Sequence, residues 1–102
     1  MISMVPIYPR EAPQTVPIVD VFGVTHTITL PSSFWVLGAD NLLHEFHIPK
    51  QHVIKAGTDR FVEVIVLERP TNADPDLVQF PVPSTKGEGL LRVAGESVLT
   101  LN

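Results

Sequence analysis

From Val24 to Leu30 the side chains alternate. Val24, His26, Ile28 and Leu30 fall on one face, and Thr25, Thr27 and Thr29 fall on the other. A period of two belongs to a β-strand, whose successive side chains point to opposite faces. The segment predicts a half-buried strand with a threonine face. Ahead of it, Val16 to Phe22 predicts another strand, with Gly23 as the turn or bulge between them. Phe34 to Leu37 and Leu42 to Ile48, joined by Gly38-Ala39-Asp40-Asn41, predict a hairpin with a short loop. Residues 40–47 admit a second reading: a short helix capped by Asp40, with Leu42, Leu43 and Phe46 on one face and Pro49 as its stop. The shortness of the segment and its place among strands favour strand.

Phe61 to Glu68 is apolar on both faces except at Glu63, which predicts a central or sandwiched strand. Val78 to Val82, Leu90 to Val93 and Val98 to Leu101 predict shorter strands. Lys86-Gly87-Glu88-Gly89 and Gly95-Glu96 mark turns, and Pro70 to Asp76 has the composition of a solvated loop. Pro81 and Pro83 place residues 79–84 at a sheet edge, where a missing donor is tolerated. Roughly seven to nine short strands separated by turns fit an all-β fold, either a small β-sandwich or a partly open β-barrel. The expected core is Ile28, Trp35, Phe46, Val62, Val64, Ile65 and Val66.

Residues 1–15 break the pattern. Pro6, Pro9 and Pro13 forbid helix and favour an extended path, and only Arg10 and Glu11 carry charge. Met1, Ile2, Met4, Val5, Ile7 and Tyr8 are too apolar for an ordinary solvated tail. The division that follows is an extended N-terminal arm at 1–15 and a single β domain at 16–102. The arm either docks on a partner or folds back as an edge strand of its own domain. On the docking reading, Ile2, Val5, Ile7 and Tyr8 contact another chain.

Composition narrows the function. A chain of 102 residues supports one core. There is no cysteine, so disulfides, zinc–thiolate sites and thiol catalysis are excluded. Charged residues make up 18% of the chain, against a usual share of about a quarter, while 44% is hydrophobic. A small domain hides that much apolar surface with difficulty, so cover by another chain is expected. The net charge is −4, and Arg10, Lys50, Lys55, Arg60, Arg69, Lys86 and Arg92 are scattered, which argues against a nucleic-acid partner. The N-terminal segment lacks the basic and apolar regions of a signal peptide, and nothing approaches the ~20 apolar residues of a membrane helix, so no membrane partner is expected.

Candidate chemistry is sparse. His44-Glu45-Phe46-His47 would present two imidazoles to one metal on a helix, but on a strand the pair is split between faces. Strand parity puts His26 and His44 on apolar faces, and those two could share a metal only if their strands are neighbours. A cupin-type site needs a His-x-His pair that is absent. Asp74-Pro75-Asp76 with Asn72 offers oxygen ligands but lacks the glycine turn and distal carboxylate of a calcium loop. No Gly-x-Ser-x-Gly elbow and no phosphate-cradling loop occur. No catalytic residue, metal or cofactor is therefore expected.

Residues 48–57, Ile-Pro-Lys-Gln-His-Val-Ile-Lys-Ala-Gly, resemble a segment common in β-clip, barrel and phage head-decoration domains. In that segment a proline-led turn feeds a short Val/Ile strand that ends in Gly. The resemblance covers ten residues, implies β-architecture and carries no functional site. Together these features lead to the expectation of a non-enzymatic structural protein. Its class would be a virion component of a tailed phage, such as a capsid decoration, cement or tail-associated protein. Its partners would be copies of itself or capsid and tail proteins, and its location the virion, or the cytoplasm if it is not viral. Two rival expectations are a ligand-binding or inhibitory β-module with a cleft near Trp35 and Tyr8, and a small cupin-like metal enzyme built on the histidines.

Overall fold

The computed structural model describes residues 1–71 and 73–102. The fold is all-β, with a curled half-barrel sheet and a second, small sheet. The strands are β1 (Ile2–Glu11), β2 (Gln14–Val19), β3 (Thr25–Leu30), β4 (Ser33–Leu37), β5 (Leu43–His47), β6 (Val53–Ala56), β7 (Asp59–Glu68), β8 (Asp76–Gln79), β9 (Leu90–Val93) and β10 (Leu99–Leu101). The main sheet runs β5-β4-β1-β7-β8-β9, with β10 added to β1 and β6 added to β7; β2 and β3 form the small sheet alone. Residues 43–47 are strand, not helix.

The main sheet curls until its two ends meet. The Ala39 N–H in the β4–β5 turn donates to the Arg92 carbonyl of β9 at 2.8 Å, and the Thr85 N–H donates to the Glu45 carbonyl of β5 at 2.9 Å. Each strand therefore has an inside and an outside. Val5, Ile7, Phe34, Val36, Phe46, Val62, Val64, Val78 and Val93 fill the inside. Phe46 and Phe80 meet there with ring centroids 4.5 Å apart.

Four features of the sequence reading are corrected. First, residues 2–11 are an inner strand and no arm. β1 pairs antiparallel with β7 on one edge, and with β10 and then β4 on the other. The prolines fit because of where they fall. Pro6 lies between the end of the β10 pairing and the start of the β4 pairing, and Pro9 adjoins the register shift before Glu11. Pro6 opposes Phe61 of β7 but has no partner on its other edge, and Pro9 opposes Phe34 just before that shift, so each lies beside a gap in the pairing where a missing donor costs little.

Second, Val5 and Ile7 are only 1% and 2% exposed and belong to their own core, out of a partner's reach. Ile2 and Tyr8 are exposed. Third, β7 is central but not buried on both faces: Val62 and Val64 point inward, while Ile65 and Leu67 are exposed. A single sheet curled on itself has no second layer to cover its outside. Fourth, of the expected core, Ile28 is exposed and Trp35 and Val66 are half-buried. Pro81 and Pro83 fall in the β8–β9 connection, and Asn72 lies outside the described residues.

The segment 48–57 takes the form its sequence implied. Pro49 leads into one helical turn at Lys50–His52, β6 follows, and Gly57 turns the chain at φ +64° into β7.

Candidate docking hairpin and basic groove

β2 and β3 make a two-stranded ribbon with no substantial contact to any other strand. The molecule is elongated, 55 × 28 × 23 Å. Its radius of gyration is 15.7 Å, against about 13 Å for a compact chain of this length. Its accessible surface is 6767 Å², about 1,100 Å² more than a compact monomer of this mass exposes.

The register assigns the faces of the ribbon. Val16 opposes Ile28, Ile18 opposes His26 and Gln14 opposes Leu30, and these pairs share one side. Thr15 opposes Thr29, Pro17 opposes Thr27 and Val19 opposes Thr25 on the other. The alternation predicted from sequence is thus present, but among the described residues no other strand packs substantially on its apolar side, where Ile18 and Ile28 are exposed and Val16 and Leu30 half-buried. Pro17 is tolerated because both strands of a ribbon are edges.

The tip is held by its own polar groups. The Asp20 carboxylate accepts the Phe22 N–H at 2.8 Å and the Val24 N–H at 3.0 Å through Oδ1, while Oδ2 lies 2.7 Å from His26 Nε2. Asp20 N–H donates to the Val24 carbonyl and Gly23 N–H to the Asp20 carbonyl. Gly23 has φ +77°, a conformation that glycine adopts without a Cβ clash. The bond from His26, then those from the backbone, hold the Asp20 carboxyl below its ordinary pKa. With the turn's backbone so engaged, Val21 and Phe22 stand 93% and 87% exposed at its end. A rigid turn that displays two large apolar side chains has already met most of the ordering cost of an interface anchor.

A groove of about 500 Å³ opens at the other end of the ribbon, where the chain enters β2 and leaves β3. Pro31, Phe34 and Val53 contribute apolar lining, and Arg10, Lys50, Lys55 and Arg60 surround it with positive charge. These are four of the chain's seven Lys and Arg residues, gathered on a protein whose net charge is −4. Arg10 is engaged: Nη1 lies 2.7 Å from Glu11 and 2.6 Å from Glu45, and its guanidinium covers the Trp35 ring at 5.0 Å. Among the described residues, Lys50, Lys55 and Arg60 form no ion pair. Lys55 and Arg60 also face each other directly across β6 and β7. Like charges directly opposed destabilise a sheet, so an anionic occupant would relieve the arrangement.

The remaining candidates stay apart. His26 is on the ribbon with Asp20; His44 lies 3.3 Å from the Asp40 carboxylate; His47 Nδ1 meets the Pro31 carbonyl at 3.0 Å; His52 ends the helical turn. The Leu42 N–H, then His44, hold the Asp40 carboxyl below its ordinary pKa. His26 and His44 are on different sheets, so the shared-metal arrangement is not formed. No group of three or more His, Asp or Glu among the described residues is placed to hold a metal ion. Asp76 is buried beneath Arg69, whose Nη2 lies 2.9 Å from its carboxylate. Tyr8 and Trp35 are cross-strand neighbours on the outer face, and Trp35 lines a shallow depression of about 290 Å³ with Leu42, Leu43 and Thr85.

Sequence reasoning missed two things. The exposure of Val21 and Phe22 had a signal in Asp20 and Gly23, two turn-forming residues that bracket them. The groove had none: residues 10, 50, 55 and 60 converge only because β1 carries both β4 and β7. Comparison of the chain with protein-family models, with curated proteins and with solved structures finds no match.

Proposed function

We propose that this protein is a non-enzymatic structural component of a larger assembly, and that it docks through the β2–β3 hairpin. The observation that carries the reading is the rigid tip that holds Val21 and Phe22 in solvent. Two physical arguments support it. An isolated two-stranded ribbon is marginally stable in water, and its stability improves when its apolar face is covered. The excess surface of about 1,100 Å² also matches what one partner contributes to a standard interface, about 800 Å². The class that suits a small, poorly charged, cysteine-free β-domain of this shape is the virion of a tailed phage, as a decoration, cement or tail-associated protein. The partner is a protein, either further copies of this chain or capsid and tail subunits.

The test is a photo-crosslinking amino acid at position 22 in the protein's native context, with the product identified by mass spectrometry. The expected product is a crosslink to a structural protein or to a second copy of this chain. A tip that crosslinks to no protein overturns the reading.

A further inference from the structure

We infer that the hairpin's partner is a second copy of this chain, whose basic groove receives the tip, so that copies join head to tail. The inference rests on the hairpin being a docking element and names its occupant. Three observations carry it.

The first is charge. Residues 14–30 contain Asp20 and no Lys or Arg. The groove is lined by Arg10, Lys50, Lys55 and Arg60 against a single acid, Glu11, which Arg10 already engages. The tip brings no Lys or Arg to repel this groove: its one carboxylate, Asp20, is held by His26 and the Phe22 and Val24 amides, its free groups are Val21 and Phe22, and the groove offers apolar Phe34 and Val53 beside Lys50, Lys55 and Arg60. The second is geometry. The groove lies at the root of the ribbon and the tip at its far end. About eight residues of extended strand separate them, on the order of 27 Å. A paired ribbon cannot fold back to place its own tip in its own groove, so a tip of this kind can fill such a groove only on another molecule. The third is size. The groove, at about 500 Å³, is within the range of sites that bury a side-chain cluster or small ligand, and the exposed surplus of surface is large enough for a stable contact.

Tip and groove are different surfaces, so the contact is heterologous. Such contacts close into a ring when the rotation between copies allows it and otherwise grow as a filament. Each copy then offers one tip and one groove, and its ribbon is covered by a neighbour.

The experiment is sedimentation and light scattering on the purified full chain at micromolar concentration, with two double variants. Val21→Ser/Phe22→Ser removes the anchor, and Lys50→Glu/Lys55→Glu reverses the rim. All four positions are exposed or half-buried and outside the core, and circular dichroism checks that both variants keep the fold. The expected result is a defined multimer for the native chain and a monomer for each variant alone. Mixing the two variants should give dimers that grow no further, because one intact tip meets one intact groove and the remaining pair is disabled.

Three outcomes overturn the inference. One is a native chain that stays monomeric. Another is a multimer that survives in either variant. The last is a mixture that does not dimerise. A monomeric native chain whose position 22 crosslinks to a different protein removes the second copy while leaving the docking hairpin standing. A monomer that binds inorganic phosphate or an oligonucleotide, with binding lost in Lys50→Glu/Lys55→Glu, reassigns the groove to an anionic ligand.

Discussion

β7 and β3 carry the same kind of pattern and meet opposite fates. β7 alternates Val62 and Val64 with Glu63 and Ile65, and its inner residues are among the most buried in the chain. β3 alternates Ile28 and Leu30 with Thr27 and Thr29, and almost all of it is exposed. The difference is not in the strands but in their neighbours. β7 has β1, β6 and β8 along its edges and the curled half-barrel over one face, while among the described residues β3 pairs only with β2. Alternation records which face of a strand is apolar. It does not record whether the covering surface belongs to the same chain. The curled sheet covers its own inner face, while the ribbon's apolar face stays largely exposed.

The sharpest way to break this comparison is to put the same charge in both strands. Val64→Asp should leave no folded protein, because a buried unpaired carboxylate costs several kcal/mol against a total stability of roughly 5–15 kcal/mol. Ile28→Asp should leave the thermal midpoint of the isolated chain nearly unchanged, within about 0.5 kcal/mol. If Ile28→Asp also unfolds the chain, the ribbon is part of the core and the distinction fails. Next in size is Phe46→Ala, which empties the ring stacked on Phe80 and should cost about 3–5 kcal/mol in denaturant titration.

Ile7→Ala tests the strand that looked like an arm. It should cost about 2–5 kcal/mol, and removing residues 1–11 should unfold the domain outright. A folded, cooperative truncated protein would restore the detachable arm. Smaller and local is Gly23→Ala, which forces a Cβ into a φ of +77° and should loosen the tip by about 1–2 kcal/mol. Amide exchange should rise at residues 20–24 and stay unchanged in the barrel.

Acid gives the mildest perturbation of the tip. The Asp20 carboxyl is depressed by its bonds to His26 and to the Val24 and Phe22 amides. Its contribution is therefore complete above the carboxylate's unfolded value and is lost as the pH falls through the lower folded value. The tip amides should lose protection only below roughly pH 4, and Asp20→Asn should flatten that dependence.

Most strand positions were legible because turn residues bound them: Gly23, Gly38 to Asn41 and Gly57 all fall between strands. Fold class followed from that count and spacing. Burial was legible where one face was apolar and the strand was internal, as at Val62 and Val64, and failed at Ile28 and Ile65, whose covering is a matter of tertiary arrangement. β1 was misread because proline penalises a ladder only where a donor is needed. The register that spares Pro6 and Pro9 depends on β4, β7 and β10, strands that lie far along the chain. The groove was illegible for the same reason: Lys50, Lys55 and Arg60 are spaced five apart along a turn and two strands, and Arg10 joins them from 40 positions away only through the pairing of β1 with β7.

The placement of β1 also bears on the order in which the chain can be made and folded. During synthesis β1 emerges first, yet β7 does not exist until residue 68 has been added, nor β10 until residue 101. At roughly 5–20 residues per second, the wait for the last partner is on the order of 5–20 s. β4 is complete at residue 37 but pairs only with Tyr8 to Glu11, so the apolar segment of Ile2, Met4, Val5 and Ile7 waits for β7, and then for β10, to be made. Unpaired apolar strands are the species that aggregate, and proline is the residue that resists their stacking. Pro6 and Pro9, accommodated in the finished sheet, each remove an amide donor that this segment would need to stack with copies of itself during that wait.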